Sequence, residues 1–148
     1  MPEGSGLPPA IVVSACLLGV RCNHLGQASR SEAVEAMRAG GARLAPICPE
    51  VAGGLPTPRP AAEVQADGSI CTADGADVSV FYGRGAAAAV ALARAVGATE
   101  AVLKARSPSC GCHEIYDGTF SRRRVPGEGV TARALREAGL VVRSEEDL

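Results

Sequence analysis

Four short runs rich in Ala, Val, Ile and Leu punctuate the chain: "AIVVSA" (10–15), "ARLAPI" (42–47), "EAVLKAR" (100–106) and "LVVR" (140–143). The continuous apolar, β-branched pattern at 10–15 and 100–106 predicts buried strands, as in a parallel sheet, and the other two runs predict a second and a fourth strand. Between them the periodicity becomes helical. "SEAVEAMRAGG" (31–41) predicts a helix that Gly40 and Gly41 stop, with Ser29 and Glu32 resembling a capping box at its start. "GRGAAAAVALARAVG" (83–97) has strong alanine-based helix propensity and ends at Gly97, and "GEGVTARALREAG" (127–139) gives a third helix. In "AEVQADGSICTADGADVSVF" (62–81) two Asp-Gly pairs separate short alternating segments, which predicts a β-hairpin or flap inserted after the second strand. The Pro and Gly density of "CPEVAGGLPTPRPAAE" (48–63) argues against any regular element there. The alternation of strand and helix predicts an α/β fold: a Rossmann-like, mostly parallel sheet flanked by helices, with a β-hairpin insertion. We expect one domain over residues 1–148, with residues 1–9 flexible.

Composition narrows this picture. Trp is absent and aromatic residues make up 3% of the chain, so Ala, Val, Leu and Ile must build the core. A formal net charge of -1 gives no electrostatic grip on a nucleic-acid polymer, and the run Arg122, Arg123, Arg124 reads as a solvated loop. No apolar stretch reaches the roughly 18 residues of a membrane span, and the N-terminus lacks a basic n-region followed by an apolar h-region. A cytoplasmic protein without a membrane partner is expected. In a reducing cytosol six cysteines point to metal binding, catalysis or buried packing before disulfides.

Cys16, Cys48 and Cys110 each fall just beyond the carboxyl end of a predicted strand, the sheet edge where loops from distant parts of a chain converge and ligands bind. Thiolates select zinc or iron-sulfur clusters, and a structural site normally closes with four protein ligands. Three would leave a position open: a Lewis-acidic iron on a cluster, or a water-activating centre on zinc. Plain packing in the core is the alternative for each cysteine taken singly. Cys22 is the candidate fourth ligand if the site is closed, Cys112 a spare ligand or resolving thiol, and Cys71 a packing residue of the hairpin.

The segments "VVSACLLGVRCN", "CPEVAGGLPTPRPAAE", "LKARSPSCG" with "IYDGTF", and "GVTARALREAGLVV" together resemble the DUF523 family, small bacterial proteins that include the thiouracil desulfurases. The resemblance runs from about residue 11 to 145. It implies a Rossmann-like domain holding a 4Fe-4S cluster by Cys16, Cys48 and Cys110, with the fourth iron open. It implies a small-molecule substrate, a thiolated pyrimidine, whose thiocarbonyl sulfur is replaced by water without redox change. It points to Glu50 of "CPE" and Ser107 of "SPSCG" as acid/base and positioning residues, and such chemistry needs a titratable or hydroxyl group within hydrogen-bond reach of substrate. Two plainer roles stand beside these: a Glu50 ion pair with Arg59, and a Ser107 turn or cap before Pro108. After Cys22, where many relatives carry an Arg-Tyr-Asp-Gly-like segment, this chain has "NHLG", so an aromatic and a charge are missing that His24 could replace in part. His113 is a weaker candidate ligand for zinc or a cluster. A non-catalytic iron-sulfur or zinc sensor would need the cysteines but not Glu50 and Ser107. A zinc hydrolase would suffer from three thiolates lowering the Lewis acidity of the metal. Either a monomer or a homodimer is compatible with the sequence.

Overall fold

The computed structural model describes residues 7–148, so residues 1–6 of the segment expected to be flexible lie outside the described residues. Strand β1 (Ala10–Ser14) is buried at every position and leads directly into a 3-10 turn, Ala15–Leu18. A polar loop then reaches helix α1 (Glu32–Ala39) and strand β2 (Arg43–Ile47), which is followed by a single helical turn, α2 (Pro49–Ala52). The antiparallel pair β3 (Ala62–Val64) and β4 (Ile70–Thr72) precedes the long helix α3 (Ser79–Val96). Strand β5 (Glu100–Leu103) is followed by a second antiparallel pair, β6 (Glu114–Tyr116) and β7 (Arg124–Pro126). Helix α4 (Val130–Glu137), strand β8 (Val141–Ser144) and a 3-10 turn, Glu145–Asp147, complete the chain.

The central sheet is parallel throughout, in the order β2-β1-β5-β8. Val12 in β1 stands opposite Ala45 of β2 and Ala101 of β5. Successive side chains leave opposite faces. Val12, Ala101 and Leu103 pack with Ala89 and Ala93 of α3 and Leu135 of α4. On the other face Ile11, Val13 and Val102 pack with Val34 of α1. The expected parallel sheet between helices is therefore observed, and one residue's step along β1 decides which helical layer a side chain joins. Because the chain passes from β1 to β2 on one side and returns to β5 on the other, a crevice opens at the carboxyl ends of β1, β2 and β5. Among the described residues no helix is long and apolar enough to cross a membrane.

Five local expectations change. The cap of α1 is Ser31, whose Oγ accepts from the Val34 amide at 3.3 Å; Ser29 instead accepts from Asn23 Nδ2 at 3.3 Å. The segment after Cys48 does contain a regular element: Pro49 stands at the first helical position of α2, where a missing N–H is tolerated and the fixed φ suits a helix. The predicted hairpin is present as β3–β4, but its last residues belong to α3, which starts at Ser79 because Asp77 Oδ1 accepts from the Ser79 amide. The strand predicted over 100–106 ends at Leu103. The second hairpin, β6–β7, has strands of three residues each, too short to raise an alternating pattern above the background.

Two glycines set the position of α2. A Cβ on Gly53 would lie 1.9 Å from the Phe81 carbonyl oxygen, and one on Gly85 would lie 2.0 Å from that of Pro49. Only hydrogen fits at either position, so the backbones of α2 and α3 meet directly and the segment carrying Cys48 and Glu50 is anchored on the longest helix.

Candidate active site

The crevice widens into a cavity of about 640 Å³ that Cys16, Cys22, Cys48, Cys110, Glu50 and Ser107 all line. Cys16 lies in the 3-10 turn immediately after β1, Cys48 caps α2 directly after β2, and Cys110 lies in the loop after β5. Chain topology thus brings together residues as far apart as 16 and 110. The Cys110 loop is fixed by the first turn of α4: the Thr131 and Ala132 amides donate to the Ser109 carbonyl at 2.9 and 3.1 Å, and the hydroxyls of Ser109 and Thr131 share a 2.8 Å hydrogen bond. The first N–H groups of a helix have no partner within it, so they are available to hold this loop.

The thiols crowd one another out of water. Burial pushes the Cys110 thiol up to about 12, with Glu50 and Cys16 adding to the rise while hydrogen bonds from Ser14 and Ser109 oppose it. Cys22 is pushed up to about 12 by burial first and the neighbouring Cys48 second. Cys16 is raised by burial and by Cys48, against a hydrogen bond to Ser29 and the charge of Lys104. Several thiolates at such mutual proximity are unfavourable unless a metal centre neutralises them, so the donor set suits a cationic group with soft-ligand preference. Among the described residues, the one set of three His, Cys, Asp or Glu ligand atoms all within 4.8 Å of one another is Cys112, His113 and Asp147.

Glu50 is held at one oxygen and open at the other. Its Oε1 accepts from Arg59 Nε at 2.8 Å, and the pair is sheltered, with side chains 4% exposed for Arg59 and 13% for Glu50. Arg59 also donates to the Cys22 carbonyl at 2.8 Å and the Pro56 carbonyl at 3.2 Å, and its Nη2 lies 3.9 Å from Cys48 Sγ. Ser107 Oγ stands 3.5 Å from Glu50 Oε2 and accepts from the Ser109 and Cys110 amides at 3.0 Å each. The ion pair and the turn cap are thus both present, at the same time as both residues face the cavity. Tyr82, buried in α3, completes the surroundings: burial and then the charge of Glu50 raise its phenol well above the usual range.

The two hairpins form the outer wall. Glu63 Oε1 of β3 accepts from the Gly118 and Phe120 amides at 3.0 and 3.1 Å, which ties the β6–β7 connection to the first hairpin. Tyr116, Phe120 and Arg122 line the cavity as a result. Arg122, Arg123 and Arg124 are exposed, as expected of a solvated run; Arg122 also lines the cavity, and Arg124 pairs with Glu114 at 2.9 Å. Phe120 and Arg122 adopt left-handed backbone with φ of 58° and 65°, as does Arg106 with φ of 68°, and all three line the cavity. Strain of this kind concentrates where tertiary contacts enforce it. His24 also lines the cavity, whereas Cys71 lies in β4 beside Ser69, and Cys112 and His113 lie outside.

Tyr82, Arg122 and Phe120 escape sequence reasoning because their approach depends on helix rotation and hairpin docking. Arg59 was readable only as a partner for Glu50, through proximity in one loop.

Comparison with known proteins places this geometry. YbbK of Bacillus subtilis (strain 168), an uncharacterized protein, is 40% identical over 147 residues, covering 93% of this chain and 97% of its own length. A solved structure described as the 4Fe-4S-dependent thiouracil desulfidase TudS (DUF523Vcz) superposes with a TM-score of 0.88 at 45% identity, covering 95% of this chain and 93% of that one. Residues 11–147 match the family described as 2-thiouracil desulfurase, and the chain belongs to that family.

Proposed function

We propose that this protein is an iron-sulfur-dependent, non-redox desulfurase that removes sulfur from a thiolated pyrimidine, 2- or 4-thiouracil or its nucleoside or nucleotide. In this reading Cys16, Cys48 and Cys110 hold a 4Fe-4S cluster with one iron open to substrate. The observation that carries it is the meeting of three strand-end cysteines with Glu50 and Ser107 around one cavity. Family membership and the similarity to a structure described as a 4Fe-4S-dependent thiouracil desulfidase support it. Bound there, the cluster supplies a Lewis acid for the soft thiocarbonyl sulfur.

The remaining work belongs to the side chains. Arg59 fixes Glu50 Oε1, so the carboxylate turns Oε2 toward Ser107 and the cavity. Oε2 takes a proton from the water that attacks the thiocarbonyl carbon, and Glu50 returns a proton as sulfur leaves. Ser107, already accepting two backbone amides, has its one O–H directed to Glu50 or to the substrate ring. The sum is thiopyrimidine plus water giving uracil plus hydrogen sulfide, with no electron gained or lost. A reducing cytoplasm would keep the thiols available for the cluster.

The test is sulfide release from 4-thiouracil and 2-thiouracil by anaerobically reconstituted protein, with iron and acid-labile sulfide assayed on the same sample. Release that scales with cluster content is expected. Full cluster content with no release from either compound or its nucleotides would overturn the proposal.

A further inference from the structure

Outside the cavity, three side chains of different chemistry meet where the C-terminal turn crosses the loop after β5. Cys112 Sγ, a nitrogen of His113 and a carboxylate oxygen of Asp147 lie within 4.8 Å of one another. His113 Nε2 is 2.6 Å from Asp147 Oδ2, which also accepts from the Ser144 amide at 2.8 Å. Cys112 is half-buried, while His113 and Asp147 are open to solvent, so an ion can reach the trio without passing through the protein. A small cavity of about 60 Å³ lies beside it, lined by Cys112, His113, Glu114 and Ser144 among others. The local field favours a cation: Asp147, Glu145 and Glu128 all act on Cys112. The nearby Arg106 is already neutralised, by Glu146 at 2.8 Å and Glu114 at 4.0 Å.

We propose that Cys112, His113 and Asp147 form a second metal site, separate from the cysteine-lined cavity, that binds one divalent ion of zinc-like preference. One sulfur, one imidazole nitrogen and one carboxylate oxygen suit a tetrahedral zinc ion with water as the fourth ligand. The ligand atoms need only part slightly to admit it, since the Asp147 carboxylate is oriented in advance by Ser144. An outer hydrogen bond of this kind is what holds a metal ligand in position. The ion would join the turn Glu145–Asp147 to the loop carrying Cys110. Two contacts already bind that turn to the same region: the Ala105 amide donates to Glu145 Oε1 at 2.8 Å, and Lys104 Nζ lies 3.3 Å from Glu145 Oε2. The site would add a third tie between the C-terminal turn and the segment after β5, and it does not depend on the desulfurase reading.

Cobalt(II) titration tests it, because a thiolate ligand gives a charge-transfer absorption and tetrahedral coordination gives intense visible bands. Titrations are run on the full chain with its cysteine-lined cavity filled by the reconstituted cluster, as a difference against the cluster's own spectrum, and again on Cys16→Ala/Cys48→Ala/Cys110→Ala, whose cavity lacks those three thiols. We expect one Co²⁺ per chain with the thiolate signature in both, displaced by Zn²⁺. The signature should vanish in Cys112→Ser. In His113→Ala, an exposed substitution that leaves the fold intact, affinity should fall at least about tenfold, the loss seen even for outer-shell partners. Zn²⁺ should also raise the unfolding temperature of the unsubstituted chain but not of His113→Ala. Absence of a stoichiometric site, persistence of the thiolate band in Cys112→Ser, or unchanged affinity in His113→Ala would overturn the proposal.

Discussion

At the scale of single residues, the Arg59–Glu50 pair carries the largest electrostatic consequence. Its guanidinium is almost fully enclosed, and its donors go to Glu50, to the Cys22, Pro56 carbonyls and to Thr57. Removing one partner of a sheltered ion pair leaves an uncompensated charge, so Arg59→Ala should lower unfolding free energy by about 3–5 kcal/mol in denaturant titration. Glu50→Gln keeps an oxygen for Arg59 but removes the proposed base. We expect it to reduce sulfide release by about a hundredfold to ten-thousandfold at unchanged iron content. Release at the original rate would assign Glu50 to the ion pair alone. The residue level was only half legible in the sequence. Cys16, Cys48 and Cys110 could be selected because each follows an apolar run, a local signal. Tyr82 and Arg122 could not, since nothing in their neighbours along the chain marks the side that meets Glu50 or the cavity.

At the scale of elements, the contact of α2 with α3 is what holds Cys48 and Glu50 against the rest of the site. Gly85→Ala would drive a methyl group into the Pro49 carbonyl, 2.0 Å away. Overpacking against backbone should destabilise the chain by about 1–3 kcal/mol and lower iron incorporation, because the displaced element carries a cysteine of the site. Gly83, one residue pair earlier in the same helix, has nothing within 4 Å of an added Cβ. Gly83→Ala should therefore stabilise the chain by about 0.5–1 kcal/mol, by helix propensity, with sulfide release unchanged. Thermal unfolding of the two variants side by side checks both statements. Strands β1 and β5 were legible because burial on both faces leaves continuous apolar runs, and the partly exposed edge strands β2 and β8 because each follows a predicted helix in the alternating pattern. The short helix after Cys48 was not, since Pro49 and two glycines read as breakers in sequence, while in space Pro49 starts a helix and Gly53 permits close contact. The hairpin β6–β7 carries Glu114 and Arg124 as an exposed cross-strand ion pair, which resembles any polar loop.

For the whole molecule, the parallel order β2-β1-β5-β8 places the ends of three strands around one crevice, and the two hairpins roof it. A site built from residues between 16 and 122 has no existence in the unfolded chain, so binding of a metal cluster is coupled to folding. Reconstituted protein should unfold at a higher temperature than chelator-treated protein, by about 2–4 °C for each kcal/mol of linkage at this chain length. Equal unfolding temperatures at verified occupancy would mean that the cluster is not held by a site formed only in the folded chain. The fold class was readable from the alternation of runs and helices. The cavity itself was not, because its outer wall depends on Glu63 of one hairpin gripping the amides of the other.

The central claim is that sulfur leaves a thiolated pyrimidine by hydrolysis, without redox change, in the cavity that Cys16, Cys48, Cys110, Glu50 and Ser107 line. A single-turnover reaction of cluster-loaded protein with 4-thiouracil in ¹⁸O-labelled water, without added reductant, measures it most directly. The account predicts one sulfide and one uracil bearing the heavy oxygen for each thiouracil consumed. A requirement for reductant, or uracil formed without the label, would contradict it.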